Sequence, residues 1–163
     1  GKIVAWYQGH GEIGPRALGN RSILFNPLIK DGKNIVNKIK KREGYRPFGA
    51  SILKEHVKDY FNTDIENPFM LYVGDVNQDN LQSVTHIDKT CRFQSVDKKQ
   101  KLYYNLINEF YKKTGCPLLL NTSFNIRGKP IMSSIKDAIN YFKESDIDIL
   151  VIGNKIYKKS WYI

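Results

Sequence analysis

Two arginines, Arg16 and Arg21, stand in GPRALGNRS (residues 14–22), a stretch that also holds two glycines and a proline. Glycine admits positive φ and close approach of the backbone to a ligand, and proline stiffens the turn. A guanidinium carried on such a loop offers a planar fork of donors to a phosphate or carboxylate. The alternative is a surface turn with two solvated arginines, and this stretch alone does not decide between them.

Three further clusters carry the same kind of chemistry. NKIKKREGYRPFG (residues 37–49) places Lys38, Lys40, Arg42 and Arg46 around a helix end and its exit turn. Capping of the helix dipole accounts for Lys40 and Lys41, but not for Arg46, which lies past the turn and before a proline. In HIDKTCRFQSV (residues 86–96), strand alternation puts Arg92, Gln94 and Val96 on one face and Phe93 and Ser95 on the other. Arg92 and Gln94 then either face a ligand or form the wet side of an edge strand. In LLLNTSFNIRGKPI (residues 118–131) an apolar strand runs directly into Asn121, Thr122, Ser123 and Asn125. Short polar side chains and free N–H groups at a strand end suit the grip on a small polar or anionic group, which is preferred here to an ordinary turn.

Other chemistries have little support. His10, His56 and His86 are scattered and lack carboxylates at ligand spacing. No GxxxxGK(S/T) phosphate loop appears, and no GxSxG elbow recommends a serine nucleophile.

The elements that must position these clusters are short. Residues 2–7 and 21–25 read as strands flanking the first loop. Residues 31–43 read as a helix with Ile35, Val36 and Ile39 on one face, stopped by Gly44. A strand near 48–53, a short helix near 54–60, a strand at 69–76 and a polar loop at 77–90 follow. Residues 98–114 form the clearest helix, with Leu102, Leu106, Ile107 and Phe110 as its apolar stripe. PLLLN (117–121) is a buried strand. Residues 134–143 form a helix opened by the capping box Ser134-x-x-Asp137 and carrying Ile135, Ala138, Ile139 and Phe142. IDILVIGN and KIYKKSWYI (147–163) close as a pair of strands. Without regular βαβ alternation, the expected fold class is α+β, a mixed sheet with helices packed on its faces.

Bulk composition fits one domain. The 163 residues are 41% hydrophobic, with ten tyrosines and eight phenylalanines, enough for a real core. Two cysteines, Cys91 and Cys116, give neither a disulfide framework nor a zinc site. No apolar run reaches the length of a membrane span, and a cytoplasmic location is expected. The net charge of +10 points to an anionic partner. The chain opens on Gly1 and enters a strand almost at once, so it is expected to be excised from a longer chain.

Taken together, the four clusters resemble the C-terminal domain of the O-carbamoyltransferases, which include nodulation-factor, cephalosporin and aminoglycoside carbamoyltransferases. The family pattern QGRxExGPRALGNRSIL, IKxREx(F/Y)RPFAP, HxDxTxRxQxV and LLNTSFNxxGEPI is met in order by residues 8–24, 39–50, 86–96 and 119–131. The resemblance implies a YrdC-like fold, an α/β twisted open sheet. It implies that carbamoyl phosphate and ATP, with Mg2+ accompanying the ATP, are converted to carbamoyladenylate. A separate N-terminal domain, similar to actin-like ATPases, would pass the carbamoyl group to an acceptor hydroxyl.

The family's lysine–x–arginine and serine–x–asparagine pairs fall on Lys40 and Arg42 and on Ser123 and Asn125, and its further arginines on Arg16, Arg46 and Arg92. By resemblance, Lys40, Arg46, Arg92 and Ser123 form the catalytic set. Arg16 and Lys40 would hold the ATP phosphates. Arg46, Arg92 and Ser123 would hold the carbamoyl phosphate and carbamoyl group, while Asn121 orients the strand-end turn or bonds the carbamoyl amide. Arg21 is expected to be structural. His10, Gly44, Gly49–Ala50 and Lys129 depart from the family pattern, replacing arginine, a bulky residue, Ala–Pro and glutamate. Two rival readings are a basic nucleic-acid-binding module and a nucleotide-binding domain without turnover. Nucleic acid is disfavoured, because the arginines sit in glycine-bearing motifs and no aromatic base-stacking pattern accompanies them.

Overall fold

Short apolar runs become strands and longer runs of helical spacing become helices in the computed structural model, which describes residues 1–159. In chain order these are β1 (Val4–Tyr7), β2 (Arg21–Phe25), α1 (Gly32–Ile39), β3 (Gly49–Leu53) and, after a 3-10 turn at Lys54–His56, α2 (Val57–Tyr60). There follow β4 (Val73–Asp75), β5 (Thr90–Val96), α3 (Lys101–Thr114), β6 (Leu118–Ser123), α4 (Ile135–Glu144), β7 (Ile149–Ile152) and β8 (Lys155–Lys158). The strands form one sheet in the order β4-β5-β3-β6-β2-β1-β7-β8. β3 pairs with β5 and β1 with β7 in parallel, and the other neighbours are antiparallel. This is the expected α+β, YrdC-like mixed sheet. Residues 160–163 of the expected last strand lie outside the described residues.

Alternation along the central strands serves two apolar layers. Ile23 and Phe25 of β2 and Leu118 and Leu120 of β6 join Val36, Ile39, Ala138 and Phe142 of α1 and α4 on one face. Leu24 and Leu119 join Tyr103, Tyr104 and Ile107 of α3 on the other. Removing such side chains from water is the main stabilising term. The α3 stripe is displaced from expectation: Leu102 is exposed, and the larger tyrosines at 103 and 104 are buried instead. Both cysteines are free and buried.

Two boundaries move for identifiable reasons. α1 ends at Ile39 rather than near residue 43, because Lys41 adopts φ 51° and closes a Schellman motif. Arg42 N–H donates to Asn37 O and Lys41 N–H to Lys38 O, so Lys41 rather than Gly44 is the stop. The strand expected at 69–76 keeps only Val73–Asp75. Its first half is folded around Asn67, whose amide oxygen accepts from Leu71 N–H and whose amide nitrogen donates to Tyr72 O and Phe93 O.

The register decides where chemistry can happen. Ser22 stands opposite Ser123, Gly49 opposite Asn121, and Ala50 beside Phe93. The starts of β2, β3 and β5 and the end of β6 therefore meet at one end of the sheet. All four polar clusters converge there.

Candidate active site

The first loop is held from below by its own residues. Glu12 Oε1 accepts from the backbone N–H groups of Leu18 at 2.7 Å and Asn20 at 2.8 Å. Gly19 takes φ +107°, and a Cβ there would lie 2.4 Å from the Tyr103 ring. The Gly19 carbonyl accepts from Trp6 Nε1 at 2.9 Å. Arg21 is only 4% exposed. Its guanidinium stacks 3.4 Å over the Tyr7 ring and donates to the carbonyls of Gln8, Gly9, Asn20 and Met132. Arg21 is structural, as expected.

A buried polar chain ties this loop to the sheet. Asn121 Nδ2 donates to Ala17 O at 3.0 Å and to Ser51 Oγ at 2.8 Å. The Ser51 hydroxyl donates to Gln94 Oε1, and Gln94 Nε2 donates to Leu18 O. Gln94 thus shares a face with Arg92 yet is fully buried. It neither meets solvent nor a ligand: it pins the loop, and β4 covers the edge that β5 would otherwise form.

Above this network lies a cavity of about 100 Å³ lined by Arg16, Arg42, Phe48, Arg92, Asn121, Thr122 and Ser123, among others. It brings together five of the eight expected site residues. No carboxylate lines it. Burial, and then the charge of Arg16, lower the pKa of the Arg92 guanidinium, and among the described residues no carboxylate pairs with either of these two cavity-lining cations. Arg92 Nε and Asn121 Oδ1 are buried and lack hydrogen-bond partners. A donor and an acceptor left unmatched beside unneutralised cations fit an anion with an amide-like donor.

Lys40 lies beneath the cavity. It turns inward from the end of α1 and is 4% exposed. Its ammonium donates to Ser123 O, to Ser123 Oγ at 3.4 Å and to Asn125 Oδ1 at 2.8 Å. The Ser123 hydroxyl donates to the same Asn125 oxygen at 2.7 Å, and Asn125 Nδ2 donates to Lys129 O. Lys40 and Asn125 therefore form the floor that orients Ser123. Burial, followed by the Arg42 charge, pushes the Lys40 ammonium down to about 7.

Arg42 reaches the cavity with its stem committed. Nε donates to Asn37 Oδ1 at 2.6 Å and the guanidinium sits 4.4 Å over the Phe48 ring. Arg46 does not line the cavity; its Nε pairs with Glu43 at 2.8 Å. His86 reaches the same segment, its Nε2 3.2 Å from Phe48 O and its Nδ1 3.2 Å from Thr90 Oγ1.

Sequence reasoning missed Glu12, Asn67 and the His86 brace, because each acts on backbone groups and leaves no charge pattern. A lone glutamate inside an arginine-bearing glycine loop is the one signal that marked Glu12. The departures at His10 and Lys129 lie outside the cavity lining, whereas Gly49 lines it. Among the described residues, no cluster of three His, Cys, Asp or Glu side chains is placed to hold a metal. No helix among them is long and apolar enough to cross a membrane.

The fold is shared with full-length HypF, crystallised in its phosphate- and nucleotide-bound form. That match has a TM-score of 0.61 at 20% identity, over 94% of this chain and 23% of the HypF chain. Nodulation protein NolNO of Sinorhizobium fredii is 46% identical over 98% of this chain and 25% of its own length. The 3'-hydroxymethylcephem-O-carbamoyltransferase of Amycolatopsis lactamdurans is 36% identical over 98% of this chain and 31% of its own length. The chain thus spans between a quarter and a third of these curated relatives. Residues 1–159 match the model of the carbamoyltransferase C-terminus family, and with four motifs gathered at one sheet end, this chain belongs to that family.

Proposed function

We propose that this domain performs the adenylating half of an O-carbamoyl transfer, taking carbamoyl phosphate and ATP to carbamoyladenylate. The observation that carries the reading is the cavity itself: Arg16, Arg42 and Arg92 converge on it from three motifs, beside Ser123 and the unpartnered Asn121 oxygen. HypF, of the same fold, was crystallised with phosphate and nucleotide. The Amycolatopsis relative is an O-carbamoyltransferase by name.

The chemistry balances with one water. Water cleaves carbamoyl phosphate to phosphate and carbamate. A carbamate oxygen then bonds to the ATP α-phosphorus, and the α–β bridging oxygen departs with its electron pair as pyrophosphate. Negative charge grows on the leaving group, so fixed cations help most in the transition state. Arg16 and Arg92 line the site of that charge, and Ser123, oriented by Lys40 and Asn125, hydrogen-bonds the carbamoyl group. Asn121 Oδ1 accepts from the carbamoyl NH2, the one donor the substrate offers. Arg46 adds a further cation from the rim. Without a lining carboxylate, the donor set does not fit a magnesium held by the protein, and Mg2+ enters as MgATP. The acceptor hydroxyl, and an N-terminal domain presenting it, belong to the longer polypeptide of which such a domain is part.

The test is pyrophosphate release from ATP with and without carbamoyl phosphate, comparing the parent chain with Lys40→Ala and Arg92→Ala. Release that depends on carbamoyl phosphate and falls by about a hundredfold or more in the variants supports the reading. Folded chain that binds ATP yet releases no pyrophosphate makes it a binder. Absence of ATP binding, with salt-sensitive RNA affinity instead, overturns it.

A further inference from the structure

Arg46 is the one expected site arginine that does not line the cavity, and its surroundings explain where it is kept. Its backbone is fixed: Arg46 N–H donates to Glu43 O at 3.2 Å, Asn37 Nδ2 donates to Arg46 O at 3.0 Å, and Pro47, a cavity residue, follows. Only the side chain remains to move, and it is about half exposed. It lies close enough to Arg42, which lines the cavity, that its charge helps lower the Arg42 pKa after burial does, while Glu43 opposes the shift.

Glu43 holds two arginines at once. One carboxylate oxygen takes Arg46 Nε at 2.8 Å, and the other takes a terminal nitrogen of Arg127 at 3.0 Å. Arg127, from the fourth motif, is itself anchored by donating to Lys41 O at 2.9 Å. The partially exposed Glu43–Arg46 pair is of the kind that opens at little cost. Opening it does not strand the carboxylate, because Arg127 stays.

On the reading of the cavity as a polyphosphate site, we infer that Glu43 is a positioning residue that parks Arg46 at the rim and yields it to the polyanionic substrate, with Arg127 keeping the carboxylate paired. A phosphate competes for Arg46 with more charge than one carboxylate carries, and it offers a bidentate partner to the guanidinium. The cavity thus gains a cation only when an anion is there to receive it.

The test is a double-mutant cycle in calorimetric titrations of the chain with inorganic pyrophosphate. Arg46→Ala weakens binding by about tenfold, the effect of losing a charge-assisted contact. Glu43→Gln frees Arg46 and tightens binding by about threefold, and the same substitution gives no gain once Arg46 is alanine. Arg127→Ala weakens binding while Glu43 is present and has little effect in Glu43→Gln. Arg46→Gln repeats the cycle with a smaller change in side-chain volume. A purely structural role for Glu43 would shift melting temperature without this sign pattern. If pyrophosphate binds but Glu43→Gln acts equally with and without Arg46, the latch is wrong and the polyphosphate reading stands. If pyrophosphate does not bind the parent chain, that reading fails and the latch with it.

Discussion

Two of the three segments that bring arginines to the cavity, residues 12–21 and residues 40–47, each contain one glutamate and use it differently. Glu12 turns inward and accepts from the N–H groups of Leu18 and Asn20. No carboxylate pairs with Arg16 among the described residues, so that arginine reaches the cavity unneutralised. Glu43 turns outward and pairs with Arg46 and Arg127, so Arg46 is held back. An acid placed on backbone amides builds a presenting loop; an acid placed on guanidiniums builds a store. The formal charge of the two segments does not reveal which is which.

Gly19→Ala is expected to have the largest effect, because it strikes the presenting loop. A Cβ there meets the Tyr103 ring at 2.4 Å while φ stands at +107°. Clash and backbone strain together cost about 3 kcal/mol or more, read as a fall in the urea midpoint. Anion affinity falls with it, since Arg16 is three residues away. An unchanged midpoint would show that the loop is not a rigid platform.

Glu12→Ala comes next. It removes the acceptor of two well-formed backbone hydrogen bonds and should cost about 2 kcal/mol. Pyrophosphate affinity should weaken, against the tightening expected for Glu43→Gln. Opposite signs for removal of two glutamates beside one cavity would confirm the division of roles. The same sign for both would mean that each acts only through its bulk charge.

The sequence carried more of the cavity than of its supports. The motif order and the strand ends they ride on were legible, because apolar runs broken by Gly, Asn and Arg mark strand termini. The grouping of Arg16, Arg42, Arg92, Asn121 and Ser123 followed from resemblance, and the register shows what brings them to one end of the sheet. Gln94 was not legible: its polar amide reads as facing either a ligand or solvent, and the loop folding over β5 buries it instead. The burial of Lys40 was equally hidden, since lysine at a helix end satisfies the dipole without any partner. The displaced α3 stripe has a simpler cause. Tyrosine is apolar over most of its surface, and two of them outweigh Leu102 in filling the second layer.

Lys40, the buried first residue of the second segment, gives the comparison a pH dependence. In the folded chain its ammonium titrates near 7, below the ordinary 10.5, because burial and then Arg42 disfavour the charge. Between those values the unfolded chain binds more protons, so this group makes the fold more stable as pH rises from about 7 toward 10; below 7 the cost of its buried charge is fully present. An anion in the cavity favours the charged form. Binding therefore takes up a proton, and pyrophosphate affinity falls by about fivefold from pH 7 to pH 8. Titrations in buffers of different ionisation enthalpy would register the proton, and Lys40→Met should abolish both effects. Proton uptake that survives Lys40→Met would assign the linkage to another group.

The smallest effect is expected at Gly44, in the storing segment. A Cβ there would lie 3.0 Å from Asn34 Oδ1, the end of an exposed side chain bonded to Asp31. That contact relaxes by rotation, and Gly44 is not among the glycines of positive φ. Gly44→Ala should therefore change stability by no more than about 0.5 kcal/mol, in a urea titration run beside Gly19→Ala. The turn at 40–47 owes its shape to Lys41 in the left-handed region and to Asn37, whose amide holds Gly44 O and Arg46 O. A loss at Gly44 comparable to that at Gly19 would make the turn as glycine-dependent as the first loop. A negligible loss would leave the difference between the segments where the two glutamates put it.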